Sequence, residues 1–333
     1  MGHPAHFHLF KNLIKEFPKE QYLIVITNKD ILSDLLISEG YSFIELAQKS
    51  NKQGFFFKFL KLLVSTFNLL KITISYKPEI LIGCISQIAW IGFILRKKTL
   101  FFAEDDYSYT KLQCKITYPF ITNVLTAEEV DVGPYHKKQI KYPGYHKLAY
   151  LHPTVFNPSK KCLDNYEITT PYFLIRLVSL SAHHDIQIKG INEQMLDEII
   201  SKLKKYGKVY ISSEKKLPEK YSSHLLKINV SDMHAIMNFA NGIISDSQSM
   251  TVESCMLGVP NIRINSFKNK ISVINSLEHT YDLTSSFNAD EFNLIDLNSI
   301  TEIKKETIDN RKKKLLNDKI YPIPFYLKVI SSQ

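Results

Sequence analysis

The chain has 333 residues, 44% apolar and 23% charged, which is enough for two packed domains and argues against long disordered stretches. Its net charge of +9 draws anionic or phosphorylated partners, but the basic residues are dispersed and no zinc-finger or RNA-binding signature accompanies them, so nucleic acid is set aside. Cys84, Cys114, Cys162 and Cys255 are far apart with no CxxC pair, no basic-then-apolar leader is present, and no apolar run reaches the roughly 20 residues of a spanning helix, so a protein of the reducing cytoplasm is expected.

The opening MGHPAHFHLF holds His3, His6 and His8. Gly2 to His6 reads as a loop feeding a helix whose apolar positions are Phe7, Phe10, Leu13, Ile14 and Phe17. YLIVIT (22–27) is a strand, DILSDLLISEG (30–40) a helix closed by Gly40, and YSFIEL (41–46) a strand. GFFFKFLKLLVSTFNLLK (54–71) is a helix with polar positions Lys58, Lys61, Ser65 and Asn68 on one stripe; it is either a core helix with one solvated edge or a helix lying on an anionic membrane surface. KPEILIGC (77–84) and TLFFAEDD (99–106) are strands around the helix QIAWIGFILRK (87–97), and TNVLTA (122–127) is one more.

The rhythm repeats after a Pro-, Tyr- and His-rich stretch at 134–170. PYFLIRLVS (171–179), KVYISSE (208–214), GIISD (242–246) and NIRIN (261–265) are strands, and helices occupy 191–207, 231–241 and 247–258. Strands alternating with helices imply parallel sheets, so two doubly wound α/β domains facing a cleft are expected, with chemistry just beyond the strand ends. The domains read as 1–165 and 166–315, and 316–333 as a segment packing back on the first.

Four strand ends carry chemistry. In GIISDSQSMTVESCMLG (242–258) a strand ends at Asp246 and a helix begins, so backbone N–H groups with the Ser247 and Ser249 hydroxyls form an anion site. Glu253, one turn on, is placed either to accept from a ribose diol or to face solvent. In RLVSLSAHHD (176–185) Arg176 interrupts an apolar strand and His183, His184 and Asp185 follow it, a phosphate or sugar contact or a polar loop. Ser213 and Glu214 are polar residues at a third strand end. Glu104, Asp105 and Asp106 crowd the fourth, where like charges raise at least one carboxyl pKa and suit a general base; a solvated acidic loop is the other reading.

Six segments, GHPAHFHLFKNLIKEF, KYPGYHKLAYLHP, FLIRLVSLSAHHDIQIKGI, ISSEKKLP, SDSQSMTVESCMLGVPNIRIN and SLEHTYDLT, together resemble an uncharacterised prokaryotic family of predicted GT-B fold, distantly similar to the UDP-N-acetylglucosamine 2-epimerases. The resemblance implies a nucleotide-sugar site in the second domain, with Ser247 and Ser249 approaching the pyrophosphate and Glu253 taking the ribose; Asp246, Met250 and Thr251 of the same segment are counted among its binding residues. It places His183 near the phosphates or sugar and Glu104 at the position of an epimerase catalytic glutamate; Gly2, His3, Arg176, His184, Ser213 and Glu214 complete the expected nucleotide-sugar-binding set. Several positions depart from the epimerases: His184 replaces an arginine, Ser249–Met250 a glycine pair, and GHPAH a glycine–threonine–arginine loop.

These departures favour a glycosyltransferase of surface polysaccharide or glycoconjugate synthesis that uses a nucleotide-diphosphate sugar, with His6, Glu104 or Asp105 as base. An epimerase, hydrolysing or not, and a non-catalytic sugar-nucleotide-binding protein are the alternatives. No cofactor or divalent metal is required. The acceptor is a glycan or a lipid-linked species, and the protein is placed in the cytoplasm or peripherally at the inner membrane face. The GT-B resemblance also calls for an apolar strand ahead of Gly2, where only Met1 stands; either the start lies upstream or the domain forms without its first strand.

Overall fold

The computed structural model describes residues 1–27, 30–46, 55–178, 190–266 and 268–333. The chain divides into two compact units, Met1–Tyr150 with Tyr321–Gln333, and Leu151–Ile320.

In unit 1, β1 (Val25–Ile26) and β2 (Ile44–Glu45) pair in parallel. A four-stranded parallel sheet runs β3 (Ile80–Gly83), β4 (Lys98–Phe102), β5 (Asn123–Ala127), β6 (Gln139–Tyr142) in that order. Helix α1 (Pro4–Ile14) precedes these strands, and α2 (Asp30–Ser38), α3 (Phe55–Tyr76), α4 (Gln87–Ile94), α5 (Lys111–Thr117) and α6 (Leu148–Leu151) connect or follow them. The apolar run Leu100–Phe102 is buried on both faces, as a central parallel strand requires. Met1 lies along β1: its amino group donates to the Val25 carbonyl, and its own carbonyl accepts from Thr27 N–H at 2.8 Å. Gly2 follows where a Cβ would stand 3.0 Å from Thr27 Oγ1 and 3.2 Å from Ile85, so the glycine serves close approach.

In unit 2 the elements are β7 (Tyr172–Leu177), α7 (Glu193–Leu203), β8 (Lys208–Ser213), α8 (Met233–Asn238), β9 (Gly242–Ser245), α9 (Gln248–Leu257), β10 (Asn261–Ile264), α10 (Ser272–His279), β11 (Ser285–Phe287), α11 (Asn298–Thr301) and α12 (Lys305–Asp318). All five strands are parallel, in the order β11-β10-β9-β7-β8. The order reverses between β7 and β9, the place where such sheets bind ligands. α7 buries Leu196, Ile199, Ile200 and Leu203 at helical spacing onto Ile175, Ile211 and Ile244, and Asn192 caps it by accepting from Met195 N–H at 2.9 Å.

The last helix, α13 (Ile323–Ser331), belongs to unit 1, where the buried Tyr326 hydroxyl donates to the Tyr142 hydroxyl at 2.7 Å. The boundary between units lies at 150/151 rather than 165/166. Tyr145, Leu148 and Tyr150 are buried in unit 1, while the helical turn Lys160–Tyr166 packs on α8 of unit 2. The Pro-, Tyr- and His-rich stretch 134–170 that joins the two sets of elements contains β6, paired along its length with β5.

α3 departs from the sequence reading in a different way. Ser65 and Thr73 are 3% exposed, Asn68 reaches inward to donate to the Leu46 carbonyl at 2.7 Å, and the large apolar residues face out. The supposed solvated stripe is therefore the buried one at Ser65 and Asn68. Among the described residues no helix is long and apolar enough to cross a membrane.

Candidate functional site

Two polar clusters stand at strand ends, one on each unit. The first surrounds a cavity of about 190 Å³ in unit 1, beyond the end of β4. Its walls include His6 and Leu9 of α1, Glu104 and Asp105, Gln113 of α5, and His146 and Lys147 after β6.

The Lys147 ammonium, 3% exposed, donates to Glu104 Oε2 at 2.9 Å. Glu104 Oε1 is buried and has no hydrogen-bond partner among the described residues. Asp105 borders the cavity, part-exposed; the protein packed around it, and then the Glu104 charge, push its carboxyl up to about 7, with Lys147 opposing. A carboxylate with that value exchanges a proton near neutrality, as a general base must. Asp106 serves the scaffold instead, being 4% exposed with its Oδ1 accepting the Asp131 N–H at 2.9 Å, which pins the turn after β5.

Two further groups on the wall are held uncharged. Burial lowers His146 to about 4, and its Nε2 has no hydrogen-bond partner among the described residues. Burial pushes the Cys84 thiol up to about 12, so it stays protonated and unreactive. His6 lines the same cavity, and its Nδ1 accepts the Gly2 N–H at 3.1 Å. The neutral ring then carries its proton on Nε2, which makes His6 a donor in this arrangement. His3 is exposed and caps α1, its Nδ1 accepting from Ala5 N–H at 3.2 Å. Lys147 and His146 were not singled out in the sequence; their signal is the polar pair shortly after a strand and Gly144, within the Pro-, Tyr- and His-rich stretch 134–170.

The second cluster lies at the ends of β7, β8 and β9. Register puts Arg176 beside Ser212 on one side and Ser245 on the other. The guanidinium donates to Ser212 Oγ at 2.7 Å and pairs with Glu214. Asp246 bridges the reversal in strand order: its Oδ1 accepts the Val178 N–H at 2.8 Å. Its other oxygen is buried with no partner among the described residues, and burial raises the carboxyl to about 6 against the pull of the Val178 bond, Lys215 and Arg176.

Ser247 caps α9 by accepting from Met250 N–H at 3.3 Å. Ser249 is part-exposed in the first turn, where the positive end of the helix dipole lies. Met250 and Thr251, 3% and 1% exposed, pack inward, and the Thr251 hydroxyl donates to the Ser247 carbonyl, so both shape the turn from behind. Glu253 is 8% exposed and lies 3.3 Å from His234 Nε2, which overturns the solvent-facing alternative. Gly258 ends α9 with φ +71, a left-handed cap. Ser213 is engaged in a local turn with Lys215. His183 and His184 lie outside the described residues. Among the described residues no group of three or more histidine, cysteine or acidic side chains is placed to hold a metal ion.

No family model and no curated protein sequence matches the chain. Solved structures do. UDP-N-acetylglucosamine 2-epimerase from Rickettsia bellii is 17% identical with a TM-score of 0.68, over 99% of this chain and 94% of its own. UDP-GlcNAc 2-epimerase from Neisseria meningitidis, bound to UDP-GlcNAc, is 13% identical with a TM-score of 0.67, over 100% and 98%. MurG of Acinetobacter baumannii is 12% identical with a TM-score of 0.59, over 100% and 98%. At these identities the likeness establishes architecture: the chain has the GT-B-like fold of two Rossmann-like units, each built on a parallel sheet.

Proposed function

We propose that the protein is a glycosyltransferase that takes its sugar from a nucleoside diphosphate. The observation that carries this reading is Asp105, a cavity-wall carboxylate held near 7 beside the Glu104–Lys147 pair. Unit 2 would hold the donor at the β7–β9 reversal. Ser249 and the first turn of α9 would face the diphosphate, Arg176 would supply cationic charge, and Glu253 would accept from the ribose. The structures of neighbours that carry UDP or UDP-GlcNAc support this choice of ligand class.

In the reaction, Asp105 removes the proton from an acceptor hydroxyl as its oxygen attacks the anomeric carbon. The bond from that carbon to the diphosphate oxygen breaks, and the leaving group carries away the electron pair. Its charge is met by the α9 dipole, the serine hydroxyls and Arg176, so no metal ion is needed. Neutral His6, with its proton on Nε2, donates a hydrogen bond to the acceptor sugar. The acceptor is a glycan or a lipid-linked species.

A panel of nucleotide sugars incubated with candidate acceptors tests the reading by release of nucleoside diphosphate. Turnover that is lost in Asp105→Asn while nucleotide binding persists supports it; no binding of any nucleoside diphosphate overturns it. The epimerase reading rests on Glu104, which matches an epimerase glutamate by resemblance, and on the epimerases among the similar structures. Deuterium uptake at the sugar C2 without acceptor, abolished by Glu104→Gln, would decide for it.

A further inference from the structure

Large apolar side chains exposed to solvent are concentrated on one layer of unit 1. Of the twenty-one such residues among those described, twelve fall between Phe57 and Phe120. On α3, Leu60, Leu63, Val64, Phe67 and Ile74 are each 45–55% exposed. α3 packs on α4 and α4 on α5, and these neighbours carry exposed apolar side chains of their own: Phe93, 62% exposed and in edge contact with the Phe120 ring, and Leu112, 75% exposed.

This is not the face of a helix built for water. A surface helix turns its polar side inward only where that side finds partners. Here Asn68 and Ser65 do find them, in the Leu46 carbonyl and in Gln87. The outward side is left apolar over several turns, and a contiguous exposed patch of this kind marks a surface that meets something other than water.

Charge says what that is. Between residues 55 and 103 the only acidic residue is Glu79, against seven basic ones, and residues 107–127 add Lys111 and Lys115 with no acid. Lys71 stands on α3 with its ammonium 4.5 Å from the Phe67 ring centroid, so cation and apolar group share the surface. A second copy of the chain would set lysine against lysine with almost no carboxylate to answer. An anionic lipid headgroup region answers both features: phosphates for the lysines and an acyl boundary for the apolar side chains.

We infer that the α3–α4–α5 layer is a docking face for an anionic bilayer, on which the protein lies without spanning. The inference does not depend on the proposed reaction, since it rests on a surface of unit 1 and not on the cavity. It fits a lipid-linked acceptor without requiring one.

The test uses the full chain with vesicles of phosphatidylcholine containing about one third phosphatidylglycerol, against phosphatidylcholine alone. The single tryptophan, Trp90 on α4, is the reporter: its indole donates to the Ile116 carbonyl at 2.7 Å, inside this layer. Expected are co-sedimentation with the anionic vesicles at least about tenfold stronger than with neutral ones, weakening with salt, and a blue shift of tryptophan emission. The double variant Leu63→Glu with Phe67→Glu, folded by circular dichroism, should lose about tenfold or more of that partition. Equal binding to both vesicle types, or a partition unchanged in the variant, overturns the inference. So does a dimer of the wild type in sedimentation equilibrium that the same variant dissociates, since a second copy would then cover the face.

Discussion

Lys147 and Glu104, 43 residues apart in sequence, meet at 2.9 Å in the cavity wall, and Asp105 stands next to the pair with its carboxyl held at about 7. Two neighbouring carboxylates are thereby divided: one is held by an ammonium, the other is left to exchange its proton. Environments that separate adjacent carboxylates in this manner are how acid and base roles are assigned in one site.

The first prediction concerns pH. As base, Asp105 must be ionised, so turnover should rise tenfold per pH unit below about 7 and level off above it. Asp105→Asn should lower turnover by about 10²–10⁴-fold and abolish that rise. Stability should change in the opposite sense. A folded-state value raised above the ordinary 3.8 means the folded protein binds the proton more tightly, so Asp105 weakens the fold as pH climbs from about 4 to 7. Asp105→Asn should be more stable than wild type by about 2 kcal/mol at pH 8, cavity solvent reducing the full value, and equal to it near pH 4. Urea denaturation at the two pH values reads this; an unchanged difference would show that Asp105 does not titrate near neutrality.

The second concerns Lys147→Met. The substitution keeps the apolar stem and removes the charge that opposes protonation of Asp105. The rising limb of the pH profile should therefore move to higher pH. Glu104, which already has one oxygen without a partner, would lose the ammonium on the other, so stability should fall by about 2–4 kcal/mol. Denaturation midpoints and the pH–rate profile of the variant check both. A lower midpoint with an unmoved limb would confine Lys147 to a structural role.

His146 supplies a third. It stacks on Tyr142 at 22° and is held neutral, its value lowered by burial from 6.5 to about 4. The unfolded chain takes up a proton at 6.5 and the folded chain does not, so this contribution is complete above pH 6.5 and is lost as pH falls toward 4. About 3 kcal/mol of acid destabilisation is expected from this one residue. His146→Phe should flatten the stability profile between pH 4 and 6.5, measured by thermal unfolding across that range.

Much of this architecture was legible because the chain alternates short apolar runs with helices, and GIISDSQSMTVESCMLG announced strand, cap, helix and glycine stop in order. Glu104 and Asp105 were legible because parallel strands put their chemistry at the carboxyl end. Lys147 was not, since nothing local relates residue 147 to residue 104; only the parallel pairing of β4 and β6 on either side of β5 brings the two strand ends to the same edge of the sheet. α3 was misread because periodicity reveals that a helix has two faces without saying which one turns inward. The polar partners that reverse it, Leu46 and Gln87, lie on other elements.

The last prediction concerns Glu253 and separates ligand from scaffold. Glu253 is buried at 8% exposure with His234 Nε2 3.3 Å away, an arrangement that reads equally as a pair stabilising α8 against α9 or as a carboxylate oriented for a ribose. Glu253→Gln keeps the shape and an acceptor oxygen but weakens both the contact with His234 and any bond from a diol. If the pair serves the ligand, calorimetric binding of UDP should weaken by about tenfold while the unfolding midpoint moves little, because a hydrogen bond to a charged group contributes about 1.5–3 kcal/mol where it is made. If the pair only braces the helices, the midpoint should fall and UDP affinity should stay. Gly258→Ala is the control: it strains the left-handed cap at the far end of the same helix, at a cost of about 1 kcal/mol or more, without touching the carboxylate or the first turn. A UDP affinity that falls in step with stability in both variants would assign the effect to α9 as a whole and take the ribose role away from Glu253.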